Sequence, residues 1–345
     1  MSTAQVFGGR MRSYLEFVTA ILYFFMVRAF AHRSADAWAS EVWSPLIAQA
    51  MILFLLVTGY ALFGYMLDGQ QRPMGQQGLP ARPGWKSEAG LGLAIGWAAA
   101  VLCVLPLTVV GGIAVVLRTD LSSWGWLIAD AGYFALAAMA EEVAFRGYGF
   151  QRFVQSVGPV AASLGFAALY AIVQGLRPGA SMISITVAVV FSLALSTAYL
   201  RTRALWVSWG LNFGWKASRA LIFGLAVNGV NSHSSVVEGN PMGPFWITGG
   251  GYGMEGSWVA LVVMLAAFFA VFRATRELDF RYNAPVIVPG GIPVDLDAAS
   301  RRQHEAAMGP AEAASPALVQ ILPVAAPPAS VESEKTSTEQ PEKSQ

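Results

Sequence analysis

Ala137-Ala-Met-Ala-Glu141-Glu142-Val-Ala-Phe-Arg146-Gly-Tyr-Gly-Phe150 closes a largely apolar run that begins at Trp124. Two adjacent glutamates and an arginine are set inside it. A charged side chain within hydrocarbon costs about 2.5 kcal/mol or more on insertion scales, so three together need partners or a polar cavity. On a helix, Glu142 and Arg146 stand four apart and can pair, whereas Glu141 is rotated by about 100° and points elsewhere. The stretch therefore predicts one glutamate fixed by the arginine and one facing a site. The plainer alternative is an interhelical salt bridge that only holds a bundle together.

The rest of the chain agrees with a membrane setting. Of 345 residues, 55% are hydrophobic and 12% charged, and the mean hydropathy is +0.51. Average soluble chains carry about 25% charged residues, so an ordinary globular protein is excluded. Strand alternation is not seen, and a helical bundle is then the one architecture open to a chain crossing lipid. At ~20 residues per span, eight segments qualify: 14–32, 45–67, 90–117, 124–145, 159–176, 181–200, 204–224 and 256–273. The expectation is an all-α, polytopic membrane bundle of about eight transmembrane helices. The first run contains Glu16 and Arg28, which the apolar core of a cleaved signal would not, and it reads as a retained helix.

Positive residues alternate between connections. Arg10, Arg12, Arg72, Arg82, Lys86, Arg146, Arg152, Arg201, Arg203, Arg273 and Arg276 fall on one side, and the segment 225–255 has no Lys or Arg. By the positive-inside rule both termini are cytoplasmic, in a bacterial-type inner membrane crossed several times. The net charge of +1 is uninformative on nucleic acid, and with no basic tract or aromatic-basic interleaving no nucleic-acid partner is expected. The lone Cys103 excludes an intramolecular disulfide. The connection 68–87 reads as a flexible linker, and the glycines of 225–255 as turn formers rather than a phosphate loop. The tail after about Tyr282, rich in Pro, Ala, Glu and Ser, reads as disordered. Three regions result: 1–89 with two helices and a linker, 90–273 as a six-helix domain, and 274–345 as a cytoplasmic tail.

Two later helices offer polar faces. If the fourth helix continues to Gly158-Pro159 and the fifth returns, Glu141 and Gln174 lie level in the hairpin, and Phe166, Tyr170 and Gln174 form one stripe. In the seventh segment Asn212, Lys216 and Arg219 share a face, with Glu141, Glu142 and Asp130 as the acids available to them.

The order of Glu141-Glu142-x-x-x-Arg146, then Tyr170-x-x-x-Gln174 with Arg177-Pro-Gly-Ala-Ser181, then Tyr199-Leu-Arg-Thr-x-x-Leu-Trp206 and Asn212-x-x-Trp215 resembles the CPBP family. These are the CAAX prenyl endopeptidases and the bacterial bacteriocin-processing, ABI-type intramembrane proteins. The resemblance spans roughly 90–273 and implies a CAAX-protease-like helical fold. In that family a motif glutamate and two histidines hold or activate the catalytic water. Glu141, Glu142 and Arg146 match the pattern. The Phe-x-x-x-His position is Gln174, and the His-x-x-x-Asn motif is Asn212 with Lys216, so both imidazoles are replaced.

Amides are poor transition-metal ligands and cannot act as general bases near neutrality. The family metal site is therefore expected to be lost and no cofactor is expected. Two functions compete over the catalytic-site positions Glu141, Glu142, Arg146, Gln174, Asn212 and Lys216. One is an intramembrane endopeptidase with Glu141 as base and Gln174 and Asn212 orienting water. The other is a catalytically impaired pseudoprotease that binds or scaffolds in the membrane. A proton-relay transporter is disfavoured because no internal repeat is found. Membrane lipids and a membrane-embedded or lipidated peptide are the expected partners. Glu141, Gln174 and Asn212 are expected to converge on a cavity open to the cytoplasm, with Lys216 paired to Glu141.

Overall fold

The computed structural model describes residues 3–69, 73–79, 81–234, 236–276 and 278, which lie in one compact unit, Met1–Ala284. The expected tail lies, from 279 onward, outside the described residues. The chain runs α1 (Thr3–Trp38), α2 (Ser44–Asp68), a single turn α3 (Pro73–Gln76), α4 (Trp85–Val109), β1 (Ile113–Leu117), α5 (Leu121–Arg146), α6 (Tyr148–Val157), α7 (Pro159–Gly175), α8 (Met182–Thr202) and α9 (Trp206–Ala217). A π-helical turn (Ser218–Ile222), β2 (Val237–Pro241), a short α10 (Phe245–Thr248) and α11 (Trp258–Ala274) follow. Each expected span contains a helix, although not every helix fills its span. Among the described residues, four of them (Gly8–Trp38, Ser44–Leu67, Trp85–Val109 and Met182–Thr202) are long and apolar enough to cross a membrane by length and composition alone.

The third segment differs from its expected helix over 90–117. Pro106 sits in the last turn of α4, Gly111 turns with φ +76°, and the β-branched Ile113-Ala-Val-Val-Leu117 leaves as a strand. It pairs antiparallel with β2, Ile113 opposite Pro241 and Leu117 opposite Val237. The fourth helix also stops earlier than expected. At Gly147 a Cβ would lie 2.3 Å from the Val143 carbonyl oxygen. The chain bends there, and α6 starts anew at Tyr148.

The linker 68–87 is partly built in. Gln77 is buried, Leu205 donates its backbone N–H to the Gly78 carbonyl at 3.2 Å, and Arg82 clasps Glu88 at 2.8 Å. Likewise the segment 225–255 is more than a run of turns, because it supplies β2 and packs back on the bundle.

Glycines set the closest helix contact. Gly92 and Gly96 on α4 face Gly210 and Gly214 on α9, the small-x-x-x-small pattern that lets backbones approach in a membrane bundle. A Cβ at Gly92 would fall 2.1 Å from the Val207 carbonyl oxygen, and one at Gly210 would fall 2.1 Å from that of Ala89. Residues two further along α9 are turned by about 200°. Asn212 therefore faces away from α4 and toward α5.

α1 packs on α2 and α6, α2 on α5, α7 on α8, and α8 on α11. Glu16 of α1 is held by Arg12 at 2.8 Å and by Arg152 of α6 at 3.6 Å. This ties the carboxyl end of α5 and its continuation α6 to the amino-terminal end of the bundle. The start of α5, the β1–β2 pair and the α1–α2 turn therefore lie at the far end.

Candidate functional site

Glu142 and Arg146, one turn apart on α5, are both fully buried, with Oε1 and Nη1 3.4 Å apart. The guanidinium also donates through Nη2 to the Ser192 carbonyl at 3.1 Å and to its hydroxyl at 2.9 Å. Arg146 thus ties α5 to α8, and Glu142 faces inward as its spacing predicts. Glu141, turned away, keeps 23% of its side chain accessible and lines a cavity.

α9 answers both acids. Asn212 Nδ2 donates to Glu142 Oε1 at 2.8 Å and to Glu141 Oε2 at 3.1 Å, so a single amide bridges the two carboxylates. One turn on, the Lys216 ammonium bonds directly to Glu141 Oε2, and only 6% of its side chain is accessible. The expected pair is therefore present without an intervening Gln174 or water. Arg219, expected on the same face, departs from it. The π turn carries it to Glu255, with its guanidinium 4.0 Å above the Trp215 ring. Glu255 lies in a glycine-rich loop without helical periodicity, so no sequence signal marked it as the partner.

Phe166, Tyr170 and Gln174 form a buried stripe on α7. Gln174 lines the same cavity of about 330 Å³ as Glu141, and its Oε1 has no hydrogen-bond partner. Asn212, in contrast, lies behind the wall formed by Glu141 rather than in the cavity lining. A second, smaller cavity of about 150 Å³ shares Glu141 with the first and is lined also by Lys216, Asn228, Asn231, Ser232 and His233. Asp130 anchors this stretch. It accepts from the Ser234 backbone N–H at 2.8 Å and lies 3.0 Å from His233 Nδ1. Both cavities reach toward the far end, where Pro45, Gln49 and the 225–255 segment lie. The expected opening toward the side of the termini is thereby corrected. Glu141 and Gln174 do line one cavity, and the side on which it lies depends on a loop whose return path periodicity does not encode.

The donor set decides what this centre can hold. Among the described residues no three of His, Cys, Asp and Glu come together as a metal-binding group. Glu141 already receives an ammonium and an amide on one oxygen, and Gln174 and Asn212 offer only amide groups. Such a set does not fit a zinc-type cation, which takes imidazole, thiolate and carboxylate donors and avoids a neighbouring ammonium.

Residues 122–218 match the family described as Type II CAAX prenyl endopeptidase Rce1-like. No curated protein and no solved structure gives a significant match. The matched segment holds both glutamates, Arg146, Gln174, Asn212 and Lys216, and the chain around it folds as a multi-pass helical membrane protein. Through the core formed by residues 122–218, this chain is thus similar to the CAAX-type intramembrane endopeptidases of the CPBP family.

Proposed function

We propose that this protein is a non-hydrolytic member of its family, a membrane binding protein whose former catalytic carboxylate serves as a counter-ion. The observation that carries this reading is the direct Lys216–Glu141 bond. A general base needs an oxygen free to take a proton and an environment that favours taking it. An ammonium on Glu141 opposes both, and neither Gln174 nor Asn212 can replace an imidazole in proton transfer. The cavity beside Glu141 is retained and lined by apolar and polar groups alike, as a ligand site requires. Its occupant is a membrane-embedded ligand, either a lipid or a lipidated peptide. The protein works without a metal or other cofactor and without nucleic acid. It sits in a bacterial-type inner membrane with both termini cytoplasmic.

The test is cleavage of a prenylated CAAX-type peptide by the protein reconstituted in nanodiscs. Wild type is expected to show no more product than Glu141→Ala. Hydrolysis by wild type that Glu141→Ala abolishes would establish the endopeptidase reading instead.

A further inference from the structure

Lys216 and Arg146 have acidic partners, but the two cations that line the cavity beside Glu141 do not. Arg28, on the distal half of α1, and Arg177, just past the end of α7, both line the cavity of about 330 Å³ beside Glu141. Among the described residues neither guanidinium forms an ion pair or a hydrogen bond, although the Arg177 backbone N–H donates to the Gln174 carbonyl at 3.2 Å. His32, one turn beyond Arg28, lines the same space. The nearest carboxylates are committed elsewhere: Glu141 to Lys216 and Asn212, Asp130 to Ser234 and His233, and Asp36 to the Ser44 hydroxyl at 2.5 Å. With Glu141 cancelled by Lys216, the two guanidiniums leave the cavity with two uncompensated positive charges. Two like charges held around one cavity in an apolar bundle repel, and an anion between them relieves the cost.

The neutral lining points the same way. The Gln174 amide is 4% exposed, faces this cavity and has an unsatisfied oxygen position. Since amide oxygen and nitrogen are interchangeable by a flip, that position can present an N–H₂ donor to an anion. Gln49 and Tyr133 add further polar groups to the lining. Phe24, Ile52 and Val173 make the remainder apolar.

We infer that Arg28 and Arg177 form a site for the phosphate monoester headgroup of a membrane lipid, with its acyl or prenyl body along Phe24, Ile52 and Val173. Two guanidiniums match a doubly charged phosphate monoester better than a singly charged carboxylate or phosphodiester, and guanidinium forks bind phosphate oxygens in pairs. The apolar wall favours a lipid over inorganic phosphate. This inference rests on the cavity being a binding site but not on the absence of hydrolysis, so a binding assay and the cleavage assay can fail separately.

The test is native mass spectrometry or a scintillation proximity assay on the full chain in detergent, with phosphatidic acid, phosphatidylglycerol, inorganic phosphate and a prenylated peptide with a free carboxyl terminus as probes. Phosphatidic acid is expected to bind best. Arg28→Gln and Arg177→Gln should each weaken it by about tenfold or more, the scale of one charge-assisted hydrogen bond. Arg177→Lys should retain part of the binding, and it guards against loss through misfolding because Arg177 lies outside the helices. Equal binding of phosphatidylglycerol and phosphatidic acid would overturn the inference. So would inorganic phosphate competing as well as the lipid, tighter binding of the peptide, or affinity unmoved by both arginine substitutions.

Discussion

At the scale of single residues, the centre is a set of compensated charges. Glu142 is shared between Arg146 and Asn212, and Glu141 between Lys216 and Asn212. Removing one partner of a buried pair typically costs ~3–5 kcal/mol because the other charge is stranded, whereas replacing both with apolar or neutral groups is often nearly neutral. Lys216→Met and Glu141→Gln should therefore each lower the thermal stability of the purified protein, and the double variant should recover much of the loss. Strictly additive losses would mean that the two residues do not act as a pair. Much of this was legible in the sequence, because i, i+4 spacing on one helix and the need of a buried cation for an acid are local arguments. The partner of Arg219 was not, since Glu255 reaches it from a loop with no periodic signal.

At the scale of elements, the seam between α4 and α9 positions the polar face of α9. Its four glycines put backbone against backbone, so a new side chain there has no flexible neighbour to displace. Gly92→Val should thus destabilise the protein strongly, beyond the ~1–3 kcal/mol of ordinary overpacking. Gly90→Val, one position with open space around its Cβ, serves as the control and should cost little. Comparable losses in both, measured as detergent-resistant folded fraction, would dismiss the seam. The helices themselves were readable from hydropathy, but two boundaries were not. Gly147 ends α5 through a tight bend, which composition cannot distinguish from a glycine tolerated within a helix. β1 was absorbed into an apolar run because its partner β2 lies more than a hundred residues away, and short apolar runs do not declare helix or strand.

At the scale of the whole molecule, the cavity lies toward the end formed by the α1–α2 turn and the 225–255 segment. Combined with the arginine bias of the connections, this predicts access from the non-cytoplasmic face. Cys103 is fully buried, so the native chain offers a silent background for labelling. In intact bacterial cells, Asn231→Cys should react with a membrane-impermeant maleimide while Gly9→Cys should not. The reverse pattern would invert the topology and return the cavity mouth to the cytoplasm.

The Lys216–Glu141 bond also bears on descent. A lysine buried at position 216 is costly unless an acid faces it, so on the proposed reading Glu141 meets a need unrelated to cleaving peptides. If histidines are lost from such a core, the glutamate pair does not decay with them. It survives as ballast for the incoming cation. The signature by which the lineage is known can then outlast the chemistry that first selected it. In this chain Glu141 answers Lys216 and Asn212, and Glu142 answers Arg146 and Asn212.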